Sequence, residues 1–120
     1  MRPRIDETWF GSITVEGTRY EHDIIIRLSG KVCKRNKQLS KAVYGTSHII
    51  SQAEAMQVYQ EGAELLIIGA GQYGMVSLSD EAAGYLQQQQ CRVVLSPMKE
   101  AIQAWNEAEG AVIGLFHVTC

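Results

Sequence analysis

Three short apolar runs, ELLIIG at 64–69, RVVL at 92–95 and AVIGLFHV at 111–118, divide the second half of this chain. Each is preceded by a helix-sized segment with its own start signal. This alternation limits the possible folds more than any other feature. ELLIIG is apolar on every residue from Leu65 to Ile68, as in a strand buried on both faces. Ser51 and Glu54 fit the S-x-x-E capping box, which predicts a helix from about residue 52. Ala55, Met56, Tyr59 and Ala63 give that helix an apolar stripe. Ser79 is placed to cap a second helix, with Asp80 and Glu81 at its positive end. Ser96-Pro97 supplies an N-cap followed by proline at the first helical position. Met98, Ala101, Ile102 and Trp105 then recur at helical spacing, and Gly110 closes the segment. The sum is β-α-β-α-β, which requires a parallel sheet with right-handed crossovers.

The first half reads as strands. WFGSITVEG places Phe10, Ile13 and Val15 as its apolar positions, with a turn near Gly17. HDIIIRLSG follows, Gly30 turns the chain, and KVCKRN is the next extended segment. Such a meander either extends or covers the parallel sheet. With 120 residues, no Pro- or Gly/Ser-rich linker and no internal repeat, the chain reads as a single domain over 1–120. Its apolar content of 46% and charged content of 20% are those of an ordinary globular protein. No apolar run approaches a membrane span, and MRPRIDETW lacks the apolar core of a signal peptide, so a cytoplasmic location is expected.

Residues 69–74 carry Gly69, Gly71 and Gly74 in the spacing G-x-G-x-x-G. A dinucleotide fingerprint also needs a helix opening within the motif and an acid at the end of the next strand. The first helix cap lies five residues beyond Gly74, and RVVL ends in Ser96-Pro97. Both requirements fail, and no G-K-[ST] of a phosphate loop is present. No cofactor is expected. The loop lies where ligand crevices of open α/β sheets form, at the carboxyl end of a central strand. Its glycines are therefore expected to shape a crevice rim beside cationic side chains.

The net charge of −2 is unevenly spread. No acidic residue occurs between Asp23 and Glu54, an interval that holds Arg27, Lys31, Lys34, Arg35, Lys37 and Lys41. Six of the eleven basic residues thus sit together, leaving five against thirteen acidic ones elsewhere. A basic face favours anionic partners. YGTSH follows directly, and Thr46, Ser47 and His48 could bond an anion drawn in by Lys37 or Lys41; a turn satisfying its own backbone is the alternative. Between Lys31 and Lys41 there is no Phe, Tyr or Trp to stack a base, so nucleic acid is not an expected partner. His22, His48 and His117 share no metal-ligand spacing, and no metal is expected. His117 and Cys120 suggest a base and nucleophile, but residues three apart on a strand face opposite ways. Cys33, Cys91 and Cys120 are odd in number and widely spaced, as in reduced thiols.

GSITVEGTRYEHDIII, LSKAVYGTSH, ELLIIGAGQYG and FHVTC, in that order, resemble the landmarks of the MTH-nine-three-eight-like family, also called the adipogenesis-associated domain family. The likeness spans residues 9–120. It implies a three-layer α/β fold, with a mixed central sheet flanked by helices and an additional β-layer. It implies no catalytic residue. The expected function is a non-enzymatic binding or assembly module. The candidate ligand-binding residues are Lys34, Arg35, Lys37, Lys41, Thr46, Ser47, His48, Gly69, Gly71, Gly74 and His117. The expected partner is a protein or a small anion, and the expected assembly a monomer or weak homodimer. The alternative is a small enzyme acting on an anionic metabolite between the glycine loop and YGTSH.

Overall fold

The apolar runs are neighbours in a five-stranded sheet in a computed structural model that describes residues 2–118, ELLIIG and AVIGLFHV inside it and RVVL at an edge, where Leu95 is exposed. In chain order the strands are β1 (Ile5–Trp9), β2 (Ser12–Val15), β3 (Thr18–Tyr20), β4 (Ile24–Ile26), β5 (Val32–Lys34), β6 (Ile49–Ile50), β7 (Leu65–Gly69), β8 (Ser77–Leu78), β9 (Arg92–Ser96) and β10 (Val112–Phe116). The helices are α1 (Gln38–Tyr44), α2 (Gln52–Val58), α3 (Asp80–Gln88) and α4 (Met98–Glu107). The large sheet has the order β5-β4-β10-β7-β9. β10, β7 and β9 run parallel, while β4 and β5 extend the sheet antiparallel on the β10 side. The sheet is therefore mixed, and β7-α3-β9-α4-β10 is the β-α-β-α-β unit read from the sequence.

Each face of this sheet is apolar because its central strands are buried on both sides. One face sets Ile25, Leu66, Ile68, Ile113 and Leu115 against Ala55 and Val58 of α2 and Ala82 and Leu86 of α3. The other sets Ile24, Ile67 and Phe116 against Met98, Ala101 and Trp105 of α4 and against Ile5, Ile13 and Val15 of the separate β1-β2-β3 sheet. The N-terminal meander thus divides. Its first three strands cover the sheet beside α4, and β4–β5 extend it. The result is three layers. β6 and β8 form a short parallel pair joining 48–50 to the segment after the glycine loop.

Local departures from the sequence reading have visible causes. Ser51 caps α2 by accepting from Glu54 N–H. The reciprocal bond of a capping box is absent, because Ser51 N–H donates to Ser40 Oγ instead. Val58 rather than Met56 faces the core, and Met56 is exposed. Ser79 caps α3 as expected. Helix α4 begins one residue later than read, with Pro97 at the cap. Helix α1 falls within a stretch read only as basic. Its entry is set by Asn36 Oδ1 accepting from Gln38 N–H, an Asx turn. Among the described residues, no helix is long and apolar enough to cross a membrane.

Candidate functional site

Where β4, β5, α2 and the end of β10 meet, the structure buries a charged network. Arg35 follows β5, is almost wholly inaccessible, and lies between two carboxylates. It donates from Nη1 to Asp23 Oδ2 at 2.9 Å, and from Nε and Nη2 to the two oxygens of Glu54 at 2.5 and 2.9 Å. Its Nη2 also donates to the Ser47 carbonyl at 2.8 Å. Burial alone would lower the Arg35 pKa; the hydrogen bonds and charges of Glu54 and then Asp23 more than offset this and hold it above its ordinary value. Ser40 Oγ donates to Glu54 Oε1 at 2.5 Å. The pairing around Arg35 satisfies the rule that buried charge must be matched and hydrogen-bonded.

Asp23 also joins this network to His117. Its Oδ2 lies 2.7 Å from His117 Nδ1 and 3.7 Å from Lys37 Nζ, while its Oδ1 accepts from Val118 N–H at 2.7 Å. A carboxylate can only accept, so Nδ1 carries the proton and the imidazole is fixed in orientation. The His117 and His48 rings meet edge to face with centroids 5.3 Å apart. His117 N–H donates to the Gly69 carbonyl.

All three glycines of the loop have steric reasons to be there. A Cβ on Gly69 would lie 2.8 Å from Phe116 Cδ1 and press on the Met98 sulfur. Gly71 has φ +92° and packs on His117, where a Cβ would lie 2.9 Å from Cδ2. Gly74 has φ +66° beside Pro97. These are needs for left-handed backbone and close approach. The loop continues to β8, and α3 begins only at Asp80, so no helix opens within the motif; the first turn of α4 abuts the loop instead, and its Met98 N–H donates to the Gly71 carbonyl at 3.1 Å.

The lysines line a separate cavity. A hollow of about 380 Å³ is walled by Lys34, Lys37, Lys41, His22 and Asn36, with Asp23 and Arg35 also lining it. The glycine loop borders a smaller, mostly apolar hollow of about 110 Å³ with Phe10, Tyr73, Met75 and His117. The Asp23–His117 pair stands between the two, with Asp23 in the wall of one and His117 in the wall of the other. Lys34, Lys37 and Lys41, the cations expected beside the glycine rim, thus line the other hollow, and the cation that shares a hollow with the loop, through Gln72, is Lys99. The structure also corrects the placing of Arg35 on an exposed basic face, since two buried acids hold it inside. Arg27 likewise turns away and donates to the carbonyls of Gln57 and Val58 at the end of α2. Ser47 is buried and offers its carbonyl to Arg35. Thr46 Oγ1 accepts from His48 N–H, so it completes a turn. His48, His117 and Gly71 do converge. Cys120, read as a possible nucleophile, lies outside the described residues.

Residues 5–116 match the family described as protein of unknown function (DUF498/DUF598). The chain belongs to that family. Among curated proteins, none matches this DUF498/DUF598 chain. Among solved structures, it is similar to the conserved hypothetical protein PH1505 from Pyrococcus horikoshii OT3, with 34% identity, 98% of this chain and 99% of that one covered, and a TM-score of 0.90. It is similar also to MT938, at 32% identity, the same coverage and a TM-score of 0.81. A Mth938-like domain protein from Bordetella pertussis shares the fold at 15% identity, with 97% of this chain and 85% of that one covered and a TM-score of 0.63. The resemblance to the MTH-nine-three-eight-like family therefore holds, and with it the three-layer fold.

Asp23, Glu54 and Ser40 are the site residues that the sequence reading misses. In sequence, Asp23 reads as a flank of His22, and Glu54 as part of a helix cap. One signal could find them. The two acids that bound the acid-free interval are the two that Arg35, inside it, binds.

Proposed function

We propose that this protein is a non-enzymatic binding module that docks an anionic ligand or an acidic partner segment in the lysine-walled cavity. The observation that carries this reading is the convergence of Lys34, Lys37 and Lys41 on one hollow. The exposed ammonium groups of Lys34 and Lys41, with Lys37 held 3.7 Å from Asp23, suit phosphate or carboxylate oxygens approached from several directions. The buried Asp23–Arg35–Glu54 network supplies a rigid floor, since its members cannot move without exposing unpaired charge.

The test is charge reversal at Lys34 and Lys41, both exposed, so that the fold is left intact. Inorganic pyrophosphate and a glutamate-rich peptide are titrated calorimetrically into the natural protein and into the Lys34→Glu, Lys41→Glu variant. Binding should weaken as salt rises and should be lost in the variant. Equal binding by both proteins would remove the lysine cavity as the docking site.

A second reading is favoured by one observation, the Asp23–His117 pair. A carboxylate-oriented imidazole beside a crevice is an arrangement that serves general-base chemistry. Under that reading the protein is a small enzyme working between the glycine loop and YGTSH. The lysines that would draw an anionic metabolite line the other cavity, so the binding module is the better-supported reading.

A further inference from the structure

We infer that the small hollow over His117 is a second ligand site, which takes a single aromatic ring carrying a hydroxyl group. It stands apart from the anion-docking reading, because both the cavity and the ligand chemistry differ. The decisive feature is the far edge of the imidazole. His117 Nδ1 is turned inward to Asp23, so its Nε2–Cδ2 edge faces Gly71 and the hollow. The side chain is only 5% exposed, yet Nε2 has no hydrogen-bond partner among the described residues. Among the described residues no fully buried side-chain nitrogen or oxygen lacks a partner, so Nε2 itself retains some access to solvent. A buried ring whose proton sits on Nδ1 presents Nε2 as an acceptor, and its natural complement is a ligand O–H.

The walls specify the rest of the ligand. Phe10 comes from the β1–β2 turn and Tyr73 from the glycine loop, with ring centroids 5.9 Å apart and planes tilted by 42°. Met75 adds a thioether suited to the edge of an aromatic ring. The volume of about 110 Å³ is of the order of the ~150 Å³ apolar cavities that take benzene. No lysine or arginine lines it, so it does not select phosphate or carboxylate. The rim is also held in place. Gln72 Nε2 donates to Thr8 Oγ1 and to the Trp9 carbonyl, and Gly11 N–H donates to the Val118 carbonyl. Those three ties join the loop, the hairpin turn and the end of β10 around one opening. Gly71 is then required twice, for its left-handed backbone and because any Cβ would press on the imidazole edge that the ligand needs.

The experiment uses 4-methylphenol as probe, with toluene and inorganic phosphate as comparators, read by calorimetry and by the imidazole ¹⁵N resonances of the intact protein. 4-Methylphenol is expected to bind saturably and to shift His117 Nε2. Toluene should bind at least ~10-fold more weakly, for want of the hydrogen bond. Phosphate should leave the His117 resonances unmoved. In His117→Asn the shorter amide can still donate to Asp23 but offers nothing at the Nε2 position, and 4-methylphenol affinity should fall by a similar factor. Tyr73→Ala removes a ring that is 78% exposed, so it leaves the fold intact and should also weaken binding. The proposal is overturned if 4-methylphenol fails to saturate, if toluene matches it, or if binding leaves Nε2 unshifted. Should His117→Asn not fold, the Nε2 shift and the Tyr73→Ala affinity decide the matter.

Discussion

Replacing Glu54 by alanine should be among the most damaging single changes this fold can suffer outside its apolar core. Glu54 is fully buried and accepts three short hydrogen bonds, two from Arg35 and one from Ser40. Without it, the Arg35 guanidinium keeps only Asp23 and the Ser47 carbonyl, and Asp23 is already shared with His117, Lys37 and Val118. Removing one member of a buried ion pair costs about 3–5 kcal/mol, because the other charge stays buried without its match. A domain of this size holds roughly 5–15 kcal/mol in total. At roughly 4 °C per kcal/mol for about 120 residues, the melting temperature should fall by ~12–20 °C. The assay is thermal and urea unfolding followed by far-ultraviolet circular dichroism. Glu21→Ala is the control, since its pair with Arg19 joins side chains that are 74% and 63% exposed; it should stay within about 0.5 kcal/mol of the natural protein. Combining Arg35→Met with Glu54→Leu removes both charges and should cost less than Glu54→Ala alone. A loss below about 1 kcal/mol for Glu54→Ala would refute the claim that the pair is structurally demanding.

Other places in the fold give further expected outcomes. Gly71→Ala should lose about 1–3 kcal/mol in urea unfolding through its left-handed backbone and the crowding of His117, whereas Gly84→Ala, with open space around it in the middle of α3, should gain about 0.5–1 kcal/mol. Burial pushes the Cys91 thiol above its ordinary value, so the folded state favours the neutral form. Stability from that source is present below the unfolded thiol's pKa and declines as pH rises through the folded one, and peptide-resolved alkylation at pH 8 should label half-buried Cys33 before Cys91. Tyr44→Phe should change stability by less than about 0.5 kcal/mol by the same unfolding assay, because its hydroxyl meets Glu81 at the exposed surface.

The parts of the fold legible in the sequence are those written in local chemistry. ELLIIG announces a central parallel strand through uninterrupted apolar character, and Ser79 announces α3 through its cap, whereas RVVL, opening on Arg92, proves to be an edge strand with Leu95 exposed. The site is harder to read because its chemistry is non-local. Asp23 and His117 are far apart in sequence and meet only because β10 lies beside β4. Glu54 sits in a pattern that a capping box explains equally well, and its carboxylate goes to Arg35 instead. Charge counting finds the basic interval but does not show that Arg35 belongs inside and Lys34 outside. That division is made by the half-turn between adjacent residues at the end of β5. Helix α1 escapes a sequence reading because QLSKAVY is short and Ser40 faces inward, so apolar periodicity does not mark it.

The docking claim is tested most directly by mapping amide ¹H–¹⁵N shifts of the whole protein as inorganic pyrophosphate is added at low salt. Saturable shifts should cluster on residues 34–41 and leave residues 69–74 unmoved. Shifts centred on the glycine loop, or none at the lysines, would contradict it.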